Sequence, residues 1–190
     1  MTRCAAGRRA PVPSLARAGW HHGPMPDPAA LAPPAVDWHA CRFADLTPDA
    51  LYELLALRSA VFVVEQACPY LDADGKDLHP QAWHLCGRVG GALAAYARVL
   101  PPGLSYPQPS IGRIVTAPAF RGRGLGLPLL REALALVARE WPGCDVQIGA
   151  QAHLVHYYGR AGFVAVSDVY DEDGIPHVDM LRRHGAAEPA

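Results

Sequence analysis

Arg121-Gly122-Arg123-Gly124-Leu125-Gly126 stands between an apolar run, Ser110 to Thr116, and a helix-like run that reaches Trp141. This combination of residue types suits the binding of an anion. The first N–H groups of a helix have no partner inside it and, together with the helix dipole, attract negative charge. Gly122, Gly124 and Gly126 carry no Cβ to block a close approach, and Arg121 and Arg123 add positive charge. The loop is therefore expected to cradle a pyrophosphate. Spacing excludes two nucleotide loops. A P-loop needs Gly, four residues and then Gly-Lys-Ser/Thr, and no such lysine follows; the dinucleotide fingerprint GxGxxG needs glycine at 127, which is Leu127.

The other candidate groups are carboxylates, imidazoles and thiols. Asp72, Asp74 and Asp77 beside His79 suggest a divalent cation at first sight, but glycine follows directly after Asp74, where an EF-hand loop wants it two positions later. They are expected to be solvated turn carboxylates that could draw a cationic amine, and no metal is expected. Cys4, Cys41, Cys68, Cys86 and Cys144 are odd in number and contain no CxxC pair. Free thiols in a reducing cytoplasm fit that pattern. His21-His22 has no partner cluster.

Strands and helices must hold these groups. Trp38 to Phe43 reads as a strand, and Thr47-Pro48 as an N-cap followed by proline at the first helical position. Leu51, Leu54, Leu55, Arg58, Val61 and Phe62 then recur at helical spacing as one buried stripe. Cys68 to Pro80 reads as an irregular loop over a site. Gly90-Gly91 between apolar runs predicts a hairpin of His84–Arg88 with Ala92–Leu100. A strand over Ser110–Thr116 and a helix ended by Pro142-Gly143 follow. Asp145 to Ala150 is a buried strand and His153 to Arg160 a short helix. Phe163 to Tyr170 and His177 to Leu181 form a last hairpin turning at Asp173-Gly174. The order predicts an α/β or α+β domain with a largely antiparallel sheet.

Composition bounds the rest. A chain of 190 residues, 51% hydrophobic and 18% charged, supports one sizeable core over about 37–184. Residues 1–36, rich in Ala, Pro, Arg and Gly, are expected to be a disordered tail, as are 185–190; Met25 is a candidate start. No apolar run reaches the roughly 20 residues that span a bilayer. A net charge of -1 offers no field for nucleic acid or an anionic membrane, so neither is expected as a partner. Lys76 is the one lysine.

The loop matches the R/Q-x-x-G-x-G/A signature of the GNAT acetyltransferases, and Tyr157-Tyr158-Gly159-Arg160-Ala161-Gly162-Phe163 resembles that superfamily's aromatic-Tyr-x-x-x-Gly-Phe segment. Within the superfamily the chain is similar to the ElaA family through Leu57–Leu78, Gly149–Leu154 and Asp171–His177, over about Trp38 to Arg183. The resemblance implies a GNAT acyl-CoA N-acyltransferase fold, a mixed, mostly antiparallel sheet with splayed central strands flanked by helices. It implies acetyl-CoA as co-substrate, an amine as acceptor, and the possibility of a homodimer. By the same likeness Ile114, Val115 and Thr116 pair with the pantetheine amides, Arg121 to Gly126 hold the pyrophosphate, and Gln151 stands where many members carry Asn.

Acetyl transfer to an amine has two proton problems. An ammonium must lose a proton before it attacks, and the departing thiolate is better protonated. By its place in the GNAT-like block, Tyr158 is the candidate acid. For the base, Glu65 follows Val61-Phe62-Val63-Val64 and is expected to be partly desolvated with a raised pKa, or else to pair with Arg58. His84, His153 and His177 compete for that role. Two other functions share such a fold: acyl-homoserine-lactone synthesis, suggested by Arg58 to Phe62, and coenzyme A binding without turnover. The complete loop favours coenzyme A.

Overall fold

In the computed structural model, which describes residues 34–186, the chain opens with strand β1 (Asp37–Cys41) and a 3-10 turn at Phe43–Asp45. The strand expected over Trp38–Phe43 thus ends two residues early. The expected tails, 1–36 and 185–190, fall almost wholly outside the described residues, as do Met25, Cys4 and His21-His22.

Helix α1 (Pro48–Arg58) begins as its sequence predicts: Thr47 Oγ1 accepts from the Ala50 N–H at 3.2 Å, and Pro48 occupies the first helical position. The helix does not stop at Arg58 but widens into π-helical turns over Ser59–Glu65. Such turns are rare and cluster at functional sites. Strands β2 (Trp83–Val89) and β3 (Ala92–Leu100) form the predicted hairpin, with Gly90 and Gly91 at φ 57° and 85°. β4 (Ser110–Thr116) leads through the glycine loop into α2 (Gly126–Glu140), followed by β5 (Val146–Gln151) and α3 (Val155–Gly159).

The C-terminal hairpin departs from expectation. In place of a continuous strand over Phe163–Tyr170 there are a two-residue β6 (Val164–Ala165) and a three-residue β7 (Tyr170–Glu172), both pairing with β8 (Ile175–Arg182). Between them Ser167 Oγ accepts from the Asp179 N–H, so a side chain takes a ladder bond that a continuous strand would have made. The turn at Asp173-Gly174 is as predicted, both residues having positive φ.

The sheet runs β1-β2-β3-β4-β5-β8-β6, antiparallel throughout except for β4 beside β5. Its two faces carry different helices. Ala95, Ala97 and Val99 of β3 join Leu129, Leu130, Ala133 and Val137 of α2 in one core cluster, while Tyr96 joins Leu54 and Val61 of the first helical segment in the other. This follows from the alternation of side chains along a strand. The α+β class and the mixed sheet with splayed central strands are as expected.

Candidate active site

β4 and β5 are in register only at Ser110 and Gln147, after which they diverge. A cleft of about 480 Å³ opens where they part, lined by Ile111 to Ile114 from β4, Ile148, Gly149 and Gln151 from β5, and Phe62, Gln66 and Cys68 from the end of the π-helical segment. A bulge deepens it. Tyr96 pairs with Val115 but Arg98 with Gly112, so Arg113 and Ile114 together oppose Ala97, and Arg113 takes φ 53°. Beyond Ser110 the β5-facing edge of β4 has no strand partner among the described residues. Extended amides laid there can complete its hydrogen bonds. Ile114 lines the cleft, Val115 packs into the α1 cluster, and the Thr116 carbonyl accepts from Arg121 Nε at 3.3 Å.

The glycine loop meets the requirements of an anion cradle. Gly122 and Gly124 have φ of 74° and 75°, and no atom lies within 4 Å of where a Cβ would stand. Leu125 is buried and its carbonyl accepts from the Leu129 N–H at 3.0 Å, anchoring the entry into α2. At Gly126 a Cβ would collide with the Tyr157 hydroxyl. Arg123 lies over the Phe120 ring, 5.3 Å to the centroid.

Tyr158 projects from α3 into the cleft wall, 8% exposed, edge-on to Tyr157 and Phe163. Among the described residues its hydroxyl has no hydrogen-bond partner. Burial, with a smaller contribution from Tyr157, pushes the phenol above its ordinary value, so it stays protonated at neutral pH.

His177 also lines the cleft. Its Nδ1 lies 2.8 Å from the Ile175 carbonyl oxygen, which can only accept, so Nδ1 carries the hydrogen and the neutral ring keeps its basic lone pair on Nε2. The ring stacks on Tyr170, centroids 6.2 Å apart, and Glu172 stands 3.9 Å from Nδ1. Gln151, paired with His177 across β5 and β8, donates from Nε2 to Gln66 Oε1 at 3.2 Å.

Two expected bases are placed differently. Glu65 is 45% exposed and held by Arg121 through both oxygens, at 2.8 and 3.0 Å. That hydrogen-bonded guanidinium lowers its pKa, where desolvation was expected to raise it, and its partner is Arg121 of the loop, not Arg58. His84 is wholly buried outside the cleft, bonded to the Tyr96 hydroxyl at 2.9 Å and the Asp77 carbonyl at 3.2 Å. Burial lowers its pKa and keeps it neutral: it is a satisfied core histidine. His153 is exposed and also outside the cleft lining.

The aspartates are not solvated. Arg58, Asp72, Arg113, Asp74, Arg98 and Asp77 close a ring of alternating charge, with successive N–O distances of 2.8, 2.6, 3.5, 2.6, 3.1 and 2.8 Å. Arg58 is 0% exposed. Burial opposes its charge and that of Asp74, but the pairing prevails: Arg58 is held above its ordinary value and Asp74 is pulled down to about 2. Three arginines cancel three aspartates, so the ring itself is no lure for a cationic amine. Its sign that sequence alone could have shown is Arg98 inside the otherwise apolar run Ala92–Leu100: an arginine in a buried strand must be paired. Tyr106, Tyr170 and Asp179, joined at 3.1 and 3.0 Å beside the cleft, carried no such signal.

No group of His, Cys, Asp and Glu suited to a metal ion occurs among the described residues, and no helix there is long and apolar enough to cross a membrane.

Residues 77–183 match the family model described as the acetyltransferase (GNAT) domain. A UPF0039 protein of Synechocystis is 48% identical over 149 residues, 78% of this chain and 96% of its own. The crystal structure of Escherichia coli ElaA superposes with a TM-score of 0.74 at 42% identity, covering 78% of this chain and all of its own. An acyl-CoA N-acyltransferase from Pseudomonas aeruginosa gives the same TM-score at 50% identity, covering 78% and 99%. The chain belongs to the GNAT acetyltransferase family as a homologue of ElaA.

Proposed function

We propose that the protein transfers an acetyl group from acetyl-CoA to an amine, with Tyr158 and His177 as its acid and base. The observation that carries this reading is that both side chains line one cleft, where β4 and β5 part. Acetyl-CoA supplies the activated thioester. Gly122 to Gly126 would hold its pyrophosphate through backbone N–H groups and the start of α2, and Ile114 to Thr116 would pair with its pantetheine amides along the free edge of β4. Arg121 would exchange its bond with Glu65 for a phosphate oxygen.

His177 Nε2 takes a proton from the acceptor ammonium, leaving a lone pair on nitrogen to attack the thioester carbonyl. As the C–N bond forms, the C–S bond breaks and its electron pair goes to sulfur, which receives the Tyr158 proton; the second proton of the acceptor nitrogen, shed as the amide forms, restores the Tyr158 phenol, and the first leaves His177 for solvent. The phenol has no protein acceptor competing for that proton. Desolvation raises its pKa, and the same surroundings raise that of a thiol lodged beside it.

The test is release of free thiol from acetyl-CoA against polyamines, amino acids, aminoglycosides and peptide N-termini, together with coenzyme A binding by calorimetry. Turnover with at least one amine is expected. Binding without turnover on any amine would reduce the protein to a coenzyme A binder, and neither binding nor turnover would remove the reading altogether.

A further inference from the structure

The ring of three arginines and three aspartates is neutral, yet the cleft beside it is not uniform in charge. Arg98 and Arg113 spend their guanidinium groups on Asp72, Asp74 and Asp77. Lys76, which also lines the cleft, does not: among the described residues the partner of its ammonium is a neutral hydroxyl, Ser105 Oγ at 2.8 Å. On the same wall Arg98 Nε is buried with no hydrogen-bond acceptor among the described residues. This end of the cleft thus has donors and positive charge in excess of its acceptors.

The other pole is acidic. Glu172 and Asp173, at the tip of the β7–β8 hairpin, line the cleft beside His177, and the Asp173 carbonyl accepts from Cys68 Sγ at 3.5 Å, fixing the tip against the segment that follows α1. The two poles are joined by one line of contacts. Ser105 touches Lys76; its neighbour Tyr106 donates to Asp179 Oδ1 at 3.1 Å; and Asp179 shares its face of β8 with His177. His177 and Glu172 thus line one part of the cleft, Lys76 and Ser105 another, and the Asp179 carboxylate between them is engaged by the Tyr106 and Tyr170 hydroxyls.

We propose that the acceptor is an amine that also carries a carboxylate, its ammonium directed to His177 and Glu172 and its carboxylate to Lys76 and Ser105. This rests on the acetyl-transfer reading. A simple polyamine would leave Lys76 facing a like charge, whereas a zwitterion satisfies both poles. Lys76 is a specificity residue that binds the acceptor and takes no part in proton transfer. The carboxylate can belong to a free amino acid or to the C-terminus of a short peptide.

The experiment compares matched acceptors: phenylalanine, phenylalaninamide and phenethylamine, with alanyl-phenylalanine and its amide as the peptide arm and cadaverine as the dication. Wild-type kcat/KM is expected to be about ten-fold or more higher for the carboxylate than for its amide, residing mainly in KM. Lys76→Met should abolish that ratio, and Lys76→Arg should restore part of it. Whichever of the free and peptide carboxylates shows the larger ratio identifies the source. Equal rates on acid and amide, a preference for cadaverine, or a ratio unchanged in Lys76→Met overturns the proposal while leaving acetyl transfer standing. If no amine releases thiol, calorimetry of the same acceptors on the coenzyme A complex decides: binding that needs both the carboxylate and Lys76 sustains the inference, and binding indifferent to either ends it.

Discussion

At the scale of single residues, the site separates groups that sequence alone treated as equals. Tyr158 is buried with a free hydroxyl, so Tyr158→Phe removes a proton donor and no structural bond. The expected result is a kcat lower by about 100-fold, with the coenzyme A dissociation constant and melting temperature unchanged. His177→Gln is expected to lower kcat/KM by about 100-fold while leaving the coenzyme A dissociation constant unchanged, read by steady-state kinetics and calorimetry. Glu65→Gln should behave differently. It frees Arg121 from an exposed, solvent-screened pair, so coenzyme A is expected to bind up to about five-fold more tightly, with little change in kcat. A large loss of kcat in Glu65→Gln would return the base role to Glu65. Glu65, His84, His153 and His177 were nominated from residue type and position in the chain; what distinguished them was whether each side chain met solvent, the core or the cleft.

At the scale of elements, the loop before α2 and the cap of α1 make separate demands. Gly124 has φ 75° in open space, so Gly124→Ala meets no atom but must adopt a left-handed backbone, at a cost of about 1 kcal/mol. The expected outcome is weaker coenzyme A binding, measured by calorimetry, in a protein that still folds. Thr47→Ala removes the one side-chain bond that caps α1 and should lower stability in urea by about 1 kcal/mol without affecting the cleft. Cap, hairpin turns and glycine loop were all legible from local residue types, because each is decided within about four residues of chain. The broken strand at Phe163–Tyr170 was not, since Ser167 takes its bond from Asp179, twelve positions away. The π-helical end of α1 was also hidden: its apolar spacing fits an ordinary helix, and the widening is visible only in the backbone bonds.

For the whole molecule, the ring of Arg58, Asp72, Arg113, Asp74, Arg98 and Asp77 ties α1, the irregular loop, β3 and β4 together behind the cleft. Folding lowers the Asp74 pKa from 3.8 to about 2, so its stabilisation is complete above the unfolded value and is lost as pH falls through the folded one. Acid titration followed by circular dichroism should show stability falling between about pH 4 and pH 2, with a share on the order of 2 kcal/mol from Asp74. Arg58→Met leaves Asp72 and Asp77 buried with one partner fewer each, and is expected to cost about 3–5 kcal/mol in chemical denaturation. The sequence by itself determined the family, the order of nearly all elements and the glycine loop before α2, because helix starts and turns are built from contiguous residues whose types suffice. The tertiary structure alone decided that Glu65 faces solvent and Arg121, that His84 belongs to the core and His177 to the cleft, and that the aspartates are spent on arginines while Lys76 is not. Those outcomes depend on burial and on partners up to 56 positions apart, and solvent exposure and long-range pairing are properties of the packed chain.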